Sequence, residues 1–182
     1  MVATAPASAS LLIEAFGRVP EALHEVLDGL DAAGLSFRPD PEANSIGWLL
    51  WHFARVEDDH VAAVAGTAQV WTAAGFHERF DLPFAVEAIG YGHTAQQVGA
   101  VQLPDGSLVA EYYDAVHEAT LGFLGGMVDA DLDRVVDERW DPPVTLSVRL
   151  VSVLADALQH VGQAAYVRGV YERTRAAKPS GR

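Results

Sequence analysis

Leu150-Val-Ser-Val-Leu-Ala-Asp156-Ala-Leu-Gln-His160-Val-Gly-Gln163-Ala-Ala-Tyr-Val-Arg-Gly-Val170 is an apolar run broken at helical spacing by a carboxylate, an imidazole and a carboxamide. Leu150, Val153, Ala157, His160, Ala164 and Val167 recur three or four residues apart, the period of a buried helix face. One turn separates Asp156 from His160, so both side chains project from one side of that helix, and Gln163 follows about one turn later. Polar groups on such a stripe are costly unless they are paired, hydrogen-bonded or bound to a metal. The run therefore reads as a long helix whose polar residues require partners.

The seam extends to Leu146 and Tyr171, which places this last helix from near Thr145, after Asp141-Pro142-Pro143, to about Arg173. Three earlier segments share its periodicity. The first runs roughly Ser10 to Leu30, with Leu23, Val26, Leu27 and Leu30 on one face and Pro20 as a kink or restart. A loop over Ala32–Ala43 follows. The second helix starts at Asn44 or Ser45, both good N-caps, stops at Gly66, and carries Ile46, Leu49, Leu50, Phe53 and Val56 with His52 beside them. The third spans Asp105–Met127, with Val109, Tyr112, Val116, Thr120, Phe123 and Met127 inward. Four helices of this length with little strand signal predict an all-α fold, a four-helix bundle. The connection from Gly66 to about Pro104 carries Trp71, Phe76, Phe80, Phe84 and Tyr91, so it is expected to pack over the bundle and form a pocket wall.

The 182 residues fit a single domain, with a disordered tail from about Ala176 that holds the only lysine, Lys178. No uninterrupted apolar run is long enough for a membrane helix, and Met1–Ser10 lacks the pattern of a signal peptide. The absence of cysteine excludes disulfides, zinc–thiolate sites and a cysteine nucleophile, and fits a cytoplasmic protein. A formal net charge of −13 argues against nucleic acid and against an anionic membrane surface. There is no Gly-x-Ser-x-Gly, no phosphate-cradling glycine loop and no His-Glu-x-x-His.

Two imidazoles and one carboxylate from two helices make a ligand set for zinc, nickel or iron(II), with positions left open for water or substrate. His52, Asp156 and His160 are the candidates, and Gln163 is placed to orient a ligand or hold a water. Spacing alone serves a metal-free account equally well, with Asp156 paired to His160 or to Arg149 two turns earlier. The remaining histidines, His24, His60, His77, His93 and His117, read as surface or loop residues. Glu57-Asp58-Asp59 reads as a solvated helix face, with Arg55 paired to Asp59. Trp48, Trp51 and Trp71 read as core or pocket lining.

The segments Asn44-Ser-Ile-Gly-Trp-Leu-Leu-Trp-His52-Phe-Ala-Arg-Val-Glu-Asp and Asp156-Ala-Leu-Gln-His160-Val-Gly-Gln163 resemble the DinB-like superfamily. That superfamily includes the mycothiol-dependent maleylpyruvate isomerase N-terminal domain and bacterial low-molecular-weight thiol S-transferases. The resemblance implies a four-helix bundle with one divalent metal, zinc or nickel, often in a homodimer. Its ligand positions match His52, Asp156 and His160, and its His-x-Gly-Gln signature matches Gln163. Many members carry histidine where Asp156 stands, and the mycothiol-dependent isomerase branch carries glutamate, one methylene longer. The activity implied is transfer of a thiol such as mycothiol to a small electrophile, the metal lowering the thiol pKa. Metal-assisted hydrolysis by bound water, and a non-catalytic metal-binding stress or interaction protein, are the alternatives. Arg55, Arg149 and Arg168 are candidates for binding a carboxylate of the thiol cofactor.

Overall fold

The computed structural model describes residues 6–177. In chain order it contains α1 (Ala7–Leu27), α2 (Ala32–Leu35), α3 (Ile46–Ala65), α4 (Val70–Ala73), α5 (Phe76–Phe80), α6 (Ala95–Gly99) and α7 (Ser107–Gly125). A 3₁₀ turn (Asp129–Asp133), an antiparallel pair β1 (Val135–Asp137) and β2 (Val144–Thr145), and α8 (Leu146–Ala177) complete it. The long helices α1, α3, α7 and α8 form the bundle: α3 packs on α8 and α7, and α1 packs on the same two. The fold is all-α, as the periodicity predicts. Among the described residues no helix is long and apolar enough to cross a membrane.

Local chemistry accounts for the helix ends. Ser45 caps α3, its side chain accepting from the Trp48 amide at 3.2 Å, and Gly66 ends it at a positive φ of 72°. α1 begins earlier than expected and continues through Pro20 without a restart. Proline keeps helical φ and forfeits one hydrogen bond, a loss that burial of Phe16, Val19 and Leu23 on the same face offsets. The loop after α1 contains the short α2, capped by Asp31, whose carboxylate accepts from Gly34 N at 2.8 Å. The tail expected from Ala176 stays helical through Ala177, and 178–182, with Lys178, lie outside the described residues. The strand pair escaped the sequence reading because segments of two or three residues carry no periodicity.

The connection between α3 and α7 folds back over both helices. Trp71, Phe76 and Phe80 are buried, each with its ring within 5.8 Å of Tyr112, while Tyr91 stays at the surface. This cover and α7 overturn the reading of Glu57-Asp58-Asp59 as a solvated face for Glu57 and Asp58, while Asp59 stays partly exposed. Glu57 is fully buried and accepts from Tyr113 Oη at 2.9 Å and Thr120 Oγ1 at 2.8 Å. Asp58 is buried too and accepts at 2.8 Å from the Val70 and Trp71 amides and from Tyr112 Oη, pinning α4 to α3. Arg55, fully buried, lies 3.4 Å from Asp58 instead of pairing with Asp59, and its guanidinium sits over Trp71. Burial pushes the Glu57 carboxyl up to about 7, against the pull of its two hydroxyl donors. These acids belong to the interior because α7 supplies both donors to Glu57, and the connection and α7 together supply those to Asp58.

Candidate metal centre

The α3–α8 contact, the most extensive between helices, brings together the three residues singled out by type. One ligand-type atom each from His52, Asp156 and His160 lies within 4.8 Å of the other two, the one such group of three among the described residues. His52 is buried on α3, with Trp48 one turn earlier stacked on its ring at 4.6 Å. Its ring meets that of His160 edge-on at 4.9 Å. Asp156 and His160 keep the one-turn relation that the sequence imposes, with Asp156 Oδ1 3.4 Å from His160 Nε2. Two donors that share one ion at about 2.1 Å each stand roughly 3.4 Å apart at tetrahedral angles, so the short aspartate reaches far enough.

Hydrogen bonds behind the rings select their tautomers. His52 Nδ1 bonds the carbonyl of Ile89, and His160 Nδ1 lies 2.9 Å from Gln163 Oε1. Each acceptor is a carbonyl oxygen, so each Nδ1 carries the proton and each neutral ring keeps its Nε2 lone pair for a ligand. The Ile89 carbonyl can come so close because the next residue is Gly90. A Cβ there would stand 2.6 Å from His52 Nδ1, and the residue's φ of +95° is one that side chains rarely adopt.

The metal-free alternatives leave a deficit. Arg149 does not reach for Asp156, because its NH2 donates to Asp137 Oδ2 at 3.0 Å. The contact with His160 occupies Oδ1 alone, and Asp156 Oδ2 is buried with no hydrogen-bond partner. An unpaired buried carboxylate oxygen is expensive, and a cation at the three-donor cluster satisfies it. The residues therefore fit a divalent metal better than an ion pair. Burial pushes His52 below its ordinary pKa, only partly opposed by the Ile89 carbonyl, which favours the neutral ring. At His160 burial also works to lower the pKa, but the bonds to Asp156 and Gln163 outweigh it and hold the ring above the ordinary value.

A cavity of about 220 Å³ opens beside the cluster, lined by His52 and Asp156 and also by His60, Arg149, Ser152 and Tyr91. A larger, mainly apolar cavity of about 410 Å³ lies between α3 and α7 and shares no lining residue with it. Of the three arginines proposed for a carboxylate, only Arg149 reaches the site. Arg55 is spent in the Asp58 network, and Arg168 pairs with Glu172 and with backbone carbonyls of α1. His60 is no member of the ligand group but does line the cavity, so it is not the plain surface residue expected. His93 is likewise no free loop residue: it accepts from Trp48 Nε1 at 3.2 Å and packs on Phe84 and Trp51. Sequence reasoning missed Ile89-Gly90 and Asp137 altogether. Glycines flanking Tyr91 were the available signal for the first, and nothing in the pattern marked the second.

Residues 15–164 match the sequence profile of the DinB superfamily. A crystal structure of a conserved protein from Enterococcus faecalis is similar over 91% of this chain and 96% of that one, at 32% identity and a TM-score of 0.84. No curated protein matches the chain.

Proposed function

The chain belongs to the DinB superfamily, and from that membership we propose that it transfers a low-molecular-weight thiol to a small electrophile at a divalent metal held by His52, Asp156 and His160. The thiol is mycothiol or a relative, the metal zinc or nickel, and the compartment the cytoplasm. The observation that carries this reading is a cluster of three protein donors, with one carboxylate oxygen unpaired, beside a cavity. Three protein ligands leave a position open, as catalytic sites require and fully ligated structural sites do not.

A metal bound there supplies Lewis acidity, which lowers the pKa of an incoming thiol into the neutral range. The protein's own part is to orient and to cover. Ile89 and Gln163 hold the two imidazoles with Nε2 toward the cluster, and Asp156 brings the one negative charge. Trp48, itself buried, covers one face of the His52 ring. The chain has no cysteine, so the thiol must come from outside it. The same reading includes a homodimer. It is supported by Val148, Val151, Leu158 and Tyr166, which recur along α8 and are all exposed.

Elemental analysis of the purified protein should find about one divalent metal per chain, and His160→Ala should lose it. Consumption of thiol with monochlorobimane should stop on chelation and return with zinc or nickel. Wild-type protein that stays metal-free after reconstitution, or turnover indifferent to chelation, rejects the reading. A monomer in sedimentation equilibrium removes the dimer from it.

A further inference from the structure

Beyond the ligands the cavity is lined by a cationic group whose charge is built in. Arg149 is mostly buried and is held by Asp137 of β1, which also takes Arg139 Nε at 2.9 Å and NH2 at 2.8 Å. One carboxylate between two guanidiniums leaves this trio with one positive charge. Arg139 extends into solvent with 85% of its side chain exposed, whereas Arg149 faces the cavity with His60 beside it. His60 and Arg149 also line the adjoining groove of about 570 Å³ between β1 and α3, so the two spaces meet at this pair. With a divalent ion at the cluster, the ion, Asp156, the trio and Asp59, whose carboxylate lies 3.4 Å from His60 Nδ1, sum to one positive charge, in a chain of formal net charge −13. A site of that sign, held rigid by its own salt bridge, selects anions. Its volume of about 220 Å³ lies below the roughly 300–1,000 Å³ of pockets for drug-sized ligands.

We propose that Arg149 is the specificity-determining residue of this site, binding the carboxylate of a small ligand whose other end meets the metal cluster. The inference rests on the metal centre proposed above and adds the substrate class: a small monocarboxylate, matched to the single net charge of the trio. His60, lining the same cavity, offers a second hydrogen-bonding group to that carboxylate.

The test uses cobalt-loaded full-length protein and reads thiolate-to-cobalt absorption, which needs no turnover. Thioglycolate, mercaptopropionate and mercaptobutyrate are titrated beside the carboxamides of the same lengths. At the chain length that spans the cavity, the acid should bind about tenfold or more tighter than its amide, the size of a charge-assisted hydrogen bond. Arg149→Gln should bring acid and amide within about twofold while leaving cobalt loading and amide affinity unchanged, and Arg149→Lys should keep a preference for the acid. Equal affinities at every length in the wild type overturn the proposal, and that comparison needs no variant to fold. An acid preference that survives Arg149→Gln overturns it as well. A wild type that takes up no cobalt, or gives no thiolate band with any ligand, instead rejects the metal centre and this proposal with it.

Discussion

At Glu57 burial and hydrogen bonding pull in opposite directions, and burial wins. Its carboxyl sits at about 7 in the folded protein against an ordinary value of 4.5. Between those values the native state holds a proton that the unfolded chain has released, so stability falls as pH rises through this window and levels off above it. Glu57→Gln removes the proton but keeps a group that can accept from Tyr113 or Thr120. The stability of the wild type relative to this variant should therefore drop by about 3 kcal/mol between pH ~4 and pH ~8. Denaturant unfolding at each pH measures it, and a constant difference would show that Glu57 does not titrate in that range. Asp58, one residue on, is structural in a different way, because it satisfies two backbone amides and Tyr112 at once. Neither acid was distinguishable from its neighbour Asp59 by residue type, and only the partners across the fold separate them.

At the scale of elements, α3 is the most constrained piece. Ser45 starts it and Gly66 stops it, both visible in the sequence. Ser45→Ala should cost about 1 kcal/mol in thermal or chemical unfolding, the usual worth of a cap. The connection that covers α3 also reaches the proposed metal site, where the Ile89 carbonyl bonds His52 Nδ1. Gly90→Ala puts a methyl carbon against the His52 ring and moves that carbonyl away. Metal affinity should fall about 10–100-fold, as for other supporting groups behind a metal ligand. Competition with a chromophoric chelator gives the number, and circular dichroism should show the helices intact. Unchanged affinity would mean that the loop does not position the ring.

On the scale of the whole molecule, the proposed metal ties α3 to α8, two elements about a hundred residues apart in the chain. An ion that binds only the folded state stabilises it by about 4 kcal/mol at a free concentration a thousand times its Kd. For a protein of this size that raises Tm by about 10 °C. Calorimetry of zinc-loaded and chelated protein should show the shift, and His160→Ala should abolish it. An equal shift in the variant would place the ion elsewhere.

The sequence by itself determined the four long helices, the bundle and the identities of His52, Asp156, His160 and Gln163. Helical period and one-turn spacing are local properties, and a residue's type already states its ligand chemistry. Tertiary structure alone decided that His52 faces α8, that Asp137 takes Arg149 away from Asp156, and that Glu57 and Asp58 lie inside. Each of those depends on which distant segment comes to rest against a helix face, and side-chain partners across such contacts leave no periodic trace in the chain. The fold was legible because it repeats, whereas the inner environment of the site depends on single contacts between distant segments.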